Sequence, residues 1–259
     1  MDSIISAPAF AVALFLGMVL FLEVGRQLRR RRMVLAADDE QFGAGAVEGA
    51  VFALFGLLVA FSFSGAAARF DARRALIVDE ANDIGTAYLR VEMLAPSDQP
   101  AMRALFRNYV DSRLEVYRRL PDVAAAQKEL THSGEIQGEI WKHAVAETRS
   151  QAAHPDAGKL LLPAINSMID ITTTRTVAAR THPPVILFYL LLVLGLAQSL
   201  LAGFSMAGVN RRSWLHLFAF ALITVIVVYV IVDLEFPRFG LIRIDKYDQV
   251  LVDLRSSMG

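Results

Sequence analysis

GAVFALFGLLVAFSFSGAAA, residues 49–68, runs for 20 positions without a charged side chain. A helix of about 20 apolar residues crosses a hydrocarbon core of ~30 Å, so this stretch places the chain in a membrane. Residues 3–22 and 213–232 are charge-free runs of the same length, and 181–210 is a longer one. Four transmembrane helices are expected. The first has Asp2 rather than basic residues at its amino side and no small-x-small site after it, so it reads as a retained anchor and not a cleaved signal peptide.

Composition agrees. The chain of 259 residues is 55% hydrophobic and 20% charged, with a mean hydropathy of +0.43, outside ordinary soluble usage. Its 26 basic and 26 acidic residues cancel, which argues against a nucleic-acid partner chosen by bulk charge. With no cysteine, disulfides, thiolate metal sites and cysteine nucleophiles are excluded.

The charges concentrate between the second and third spans, where residues 69–182 carry 15 basic and 15 acidic side chains. The punctuation there is helical. Pro96, Ser97, Asp98 and Pro100 make a break and a start, Pro121-Asp122 a second and His154-Pro155 a third. Leu105, Tyr109, Leu114 and Tyr117 recur at helical spacing. The expected organisation is residues 1–68 with the first two spans, 69–182 as a helical extramembrane domain, 183–236 with the last two spans, and 237–259 as a tail. Strand character is confined to Gly240-Leu241-Ile242-Arg243-Ile244.

Orientation signals conflict. Arg26, Arg29, Arg30, Arg31 and Arg32 follow the first span, and Arg211 and Arg212 follow the third. Against them stand Arg69, Arg73, Arg74, Arg175, Arg180, Arg238 and Arg243 on the other side. Positive residues in short loops stay cytoplasmic, and long domains translocate largely regardless of charge. The short loops therefore place residues 25–42 and 207–212 in the cytoplasm and 69–182 outside.

The second span has two faces. Gly45, Gly49, Ala53, Gly56, Ala60 and Ser64 recur at steps of three and four, a stripe of small residues that lets helices approach closely in lipid. Beside it run Glu48, Phe52, Phe55, Val59 and Phe63. In an unbroken helix this second line continues through Ala66, Phe70, Arg73, Ile77, Glu80 and Ile84. The plainer reading is a lipid face or an internal seam. The sharper one places copies of the helix around an axis, with the phenylalanines as a constriction that gates by dewetting and Glu48 as a charged ring at its mouth.

FSFSGAAARFDARRALIVDEANDIGTAYLR (residues 61–90), YVDSRL (109–114) and VDLEFPRFGLIRI (232–244) resemble the bestrophin-like family of bacterial and plant membrane proteins. EANDIGTAYLR is the most specific part of the match. The resemblance implies the same order of four spans, helical insertion and tail. Bestrophins proper are pentameric anion channels with an aromatic and aliphatic neck on the second helix, and the line from Phe52 to Phe63 is similar in kind. The chain departs from animal bestrophins in lacking an acidic calcium clasp and in the orientation its first loop suggests.

Other clusters carry weaker signals. Asp79 and Asp83, one turn apart with Asn82 nearby, offer oxygens to a hard cation if repeated around an axis, or ion pairs to Arg73, Arg74 and Arg90. Asp233 and Glu235 read as an acidic rim or as markers of the interface. His132, Glu135, Glu139 and His143 share a helix face whose polar neighbours favour plain solvation, and His182 and His216 read as bilayer-surface residues. No phosphate loop, nucleophile elbow or zinc-protease helix is present.

The sequence thus predicts an all-α, four-span, inner-membrane protein that is not an enzyme, needs no cofactor and assembles with itself, as a pentamer by resemblance. Its partners would be the bilayer and inorganic ions. The expected function is ion conduction along the second span, with Glu48, Phe52, Phe55, Val59, Phe63, Phe70 and Arg73 lining the path. The alternative is a non-conducting membrane-anchored helical sensor or scaffold.

Overall fold

The computed structural model describes residues 7–35, 44–206 and 214–259. Arg211, Arg212 and residues 36–42 of the first loop, used above for orientation, lie outside the described residues. Eight α-helices are described: α1 (Ala7–Leu35), α2 (Ala44–Arg90), α3 (Gln99–Arg118), α4 (Val123–Glu147), α5 (Ala157–Arg180), α6 (Val185–Met206), α7 (Trp214–Glu235) and α8 (Gln249–Ser257). No strand occurs among the described residues. Four helices are long and apolar enough to cross a membrane.

The chain divides into two compact units, residues 1–68 with 182–236, and residues 69–181 with 237–259. In the first, α1 packs on α6 and α7. Glycines let α1 and α6 touch. A Cβ at Gly25 would stand 2.0 Å from the carbonyl oxygen of Leu200, and one at Gly203 2.0 Å from that of Leu22. Gly17 and Gly195, each eight residues upstream, make looser contacts, with the side-chain ends of Leu196 at 2.9 Å and Leu14 at 3.4 Å. Where lipid is as apolar as leucine, close backbone packing supplies what hydrophobic burial does in water. Leu14, Met18, Leu22, Phe55, Leu191, Val225, Val228 and Val232 form the core around this crossing.

α2 runs 47 residues without a break, more than twice the ~20 needed to cross a bilayer. It contains no proline and many alanines, which cost a helix nothing. It ends in a 3-10 turn, Val91–Met93, ahead of Pro96.

In the second unit the helices begin where the punctuation predicts. Pro100 sits in the first turn of α3. The Asp122 side chain accepts from the Ala125 amide at 3.0 Å and caps α4. Ile84, Phe106, Tyr109, Ile140, Leu161, Ile165, Met168 and Leu251 are its core. The tail belongs to this unit: Tyr88 donates to the Met258 carbonyl at 2.9 Å, and Arg255 meets Asp111 at 2.8 Å. Gly240 to Ile244 is not a strand. Bends carry the chain from Pro237 to a 3-10 turn, Asp245–Asp248, and into α8, because no strand among the described residues offers its backbone a ladder.

Candidate functional site

α2 within residues 44–68 does not present the phenylalanine line as one open face. Phe55 is 8% exposed and lies in the core with α6 and α7. Phe52 packs on Phe220, ring centroids 5.8 Å apart, and Val59 leans on the same core. Glu48 is partly buried and accepts a hydrogen bond from the Ser205 hydroxyl. Phe63, 46% exposed, turns away from the core.

The small-residue stripe is what lies open. A Cβ added at Gly45, Gly49 or Gly56 would meet no atom within 4 Å, and Ala53, Ala60 and Ser64 are exposed. Leu57 and Phe61, also exposed, flank it. Here α2 touches the other spans through phenylalanine rings, whereas α1 and α6 meet backbone to backbone. A face this flat admits a second helix at close range.

Further along, Phe70 is half-buried and Arg73 is buried within the second unit. Arg73 donates from Nε to the Ala178 carbonyl at 3.1 Å and from Nη2 to that of Thr181 at 2.8 Å. These are orphan carbonyls at the end of α5, where a cation also suits the helix dipole. Two turns on, Glu80 is fully buried, accepting from Arg113 Nε at 2.5 Å and from Arg175.

The same cluster surrounds Tyr117. Its hydroxyl accepts from Arg113 at 2.7 Å, and the guanidinium carbons of Arg175 and Arg238 each stand 4.6 Å from its ring centre. Arg238 is paired in turn with Asp245 and Asp248. Burial pushes the Tyr117 phenol up against the pull of Arg113 and Arg238. Burial and Arg238 bring Arg175 down to about 9, with Asp248 opposing. Arg175 stays charged at neutral pH.

Asp79 is exposed and Asp83 half-exposed, one turn apart. Neither pairs with a basic residue among the described ones: Arg74 binds Asp71 and Arg90 the Leu160 carbonyl. Partial burial, then Asp79, raises the Asp83 carboxyl above its ordinary 3.8. No group of three or more metal-ligating side chains is assembled among the described residues. His132 lies 3.5 Å from Glu135 on the exposed face of α4, where Glu135 and Glu139 edge an open groove with Asp111 and Glu129 of α3 and α4. Asp233 and Glu235 are fully buried, Asp233 accepting from Tyr229 at 3.0 Å and Glu235 lying 3.7 Å from His182.

Sequence reasoning missed two features. The Glu80 cluster joins residues 33 and 95 positions apart, and no local pattern announces such a pairing. The glycines of α1 and α6 did leave a signal, the same eight-residue spacing in both spans.

Four membrane-crossing helices with a helical insertion before the third define an all-α multi-span membrane protein. The chain belongs to the Bestrophin-like family, whose domain matches residues 9–247. In structure it is similar to a bacterial bestrophin homologue from Klebsiella pneumoniae, crystallised as a point mutant, with a TM-score of 0.60 at 14% identity over 95% of this chain and 98% of that one. At that identity the likeness speaks for the fold. No curated protein matches the chain in sequence.

Proposed function

We propose that this chain is one subunit of a homo-oligomeric ion channel of a bacterial inner membrane, pentameric by family resemblance, whose path is walled by α2. The observation that carries this reading is the open stripe Gly45, Gly49, Ala53, Gly56, Ala60 and Ser64. It is an exposed face of a membrane-crossing helix, with no atom of the described residues within 4 Å of a Cβ at its three glycines, and copies packing along it bring several α2 helices around one axis.

On this reading Phe63 is the ring that narrows the path, and an apolar constriction closes by shedding water. Phe52, Phe55 and Val59 hold α2 against its own subunit instead of lining the path. Glu48 and Arg73 are engaged within the subunit and Asp71, on the line of the stripe, pairs with Arg74, so the carboxylates of α2 without a basic partner among the described residues are Asp79 and Asp83, on a different face from Phe63. They favour cations once repeated around an axis.

The test is reconstitution of the purified full chain in vesicles, with the oligomer's mass measured in the same preparation. Ion flux above that of empty vesicles is expected from an oligomer. A monomer, or an oligomer with no flux in any salt, would refute conduction and leave the sensor or scaffold reading.

A further inference from the structure

The basic end of α1 is larger than the fold requires. Two of its five arginines are used internally: Arg26 pairs with Glu23 at 2.7 Å, and Arg29 donates to the Phe204 and Ser205 carbonyls at 3.3 and 3.0 Å, covering the end of α6. Arg30, Arg31 and Arg32 are exposed and have no partner among the described residues. Three adjacent cations repel one another, weakly while they stand in water, and an anion placed among them relieves that repulsion most where headgroups replace water.

The rest of α1 says where that anion comes from. Val12, Leu16, Leu20, Val24 and Leu28 recur every fourth residue, and all are exposed. They form an apolar stripe fit for acyl chains, and Arg31 and Arg32, three and four positions past Leu28, continue it. At 1.5 Å per residue the arginines stand about 35 Å along the helix from Ala7, just beyond a hydrocarbon core of ~30 Å. This is headgroup depth.

We propose that Arg30, Arg31 and Arg32 with the stripe ending at Leu28 form a binding surface for anionic phospholipid. The guanidinium forks take the phosphodiester by charge-assisted hydrogen bonds, and the chains lie along Val12 to Leu28. The site holds whether or not the protein conducts.

Native mass spectrometry of the delipidated full-chain oligomer, titrated with phosphatidylglycerol and with phosphatidylcholine, tests it. Wild type should prefer phosphatidylglycerol, and each arginine neutralised in the series R30Q, R31Q, R32Q should weaken that lipid by about fivefold with phosphatidylcholine unchanged. The triple lysine variant should keep part of the preference, which separates lost charge from lost fold. Free glycerol phosphate should compete poorly, since it lacks the chains. Equal binding of the two lipids by wild type would overturn the site. So would a preference that survives the triple glutamine variant, one that is lost equally with R118Q in the extramembrane unit, or full competition by glycerol phosphate.

Discussion

Glu80 of α2 and Arg113 of α3 meet at 2.5 Å with neither side chain reaching solvent. Taking two charges out of water costs several kcal/mol per ion, which Arg175 and the Tyr117 hydroxyl offset by adding a second cation to Glu80 and an acceptor to Arg113 Nη2, although Arg113 Nη1 is left without a partner among the described residues. Glu80 opens EANDIGTAYLR, the run that carries the family resemblance in the sequence, and its position gives that run a physical role. The carboxylate is the common acceptor for guanidinia from α3 and α5.

Removing the acceptor strands two buried cations. Glu80→Ala should lower the stability of the chain by about 3–5 kcal/mol, and Arg113→Ala should act comparably. Denaturant unfolding followed by Trp141 fluorescence measures this. A loss below about 1 kcal/mol would mean that water reaches the cluster.

The glycines should split into two classes. Gly25→Ala and Gly203→Ala place a methyl group 2.0 Å from a backbone oxygen, so α1 and α6 must separate and the folded yield should collapse. Gly49→Ala and Gly56→Ala meet open space and improve helix propensity by about 1 kcal/mol, so each subunit should tolerate them. Gly49→Leu or Gly56→Leu should instead reduce the stable oligomer in detergent, read as mass on a sizing column. An unchanged oligomer would remove the stripe from the assembly interface.

Much of the fold was legible because its signals are local. Charge-free runs mark the spans, and Pro100, Asp122 and Pro155 mark helix starts. At the candidate site, period alone set Gly49 and Phe55 on different faces of α2 but did not say which one turns outward. That depends on α6 and α7, more than 130 residues away in sequence, whose apolar surfaces take up Phe52 and Phe55. The tail misled because Leu241, Ile242 and Ile244 have strand composition. Composition of that kind reflects fit to a sheet, and the described residues contain no sheet to receive them.

Asp83 should show in the pH dependence of stability. Its carboxyl is raised above 3.8 by partial burial and by Asp79, so the folded chain holds that proton to higher pH than the unfolded one. The group therefore favours folding most at low pH, and the advantage is lost as pH rises through the raised value. Asp79→Asn removes the repulsion, so it should raise Tm at pH 7 and leave it unchanged below pH 3.8. A gain of the same size at both pH values would assign the effect to something other than charge.

The arginines of the first loop make the orientation testable. A cysteine placed at Asp39 should resist a membrane-impermeant thiol reagent in intact cells, and one at Ser97 should react, because short basic loops remain cytoplasmic. No native cysteine confuses the readout. The reverse labelling would turn the protein over and put the helical insertion in the cytoplasm.

The two phenylalanines that α2 separates give the sharpest test of the pore. Phe55 is a core residue, so Phe55→Ala should cost about 3–5 kcal/mol of stability and lower the amount of folded protein without opening a path. Phe63 is exposed on the side of the small-residue stripe, so Phe63→Ser should leave stability nearly intact. If that ring closes the path by excluding water, a hydroxyl in its place hydrates the constriction, and flux per reconstituted oligomer should rise. Asp79→Asn with Asp83→Asn should then reduce the cation-to-anion ratio without altering how often the path opens, since it removes charge far along the helix from Phe63. Increased flux from Phe55→Ala and none from Phe63→Ser would mean that the oligomer rotates α2 so that its phenylalanine line faces the axis. No change of flux or ion preference in any of these variants would take α2 out of the path altogether.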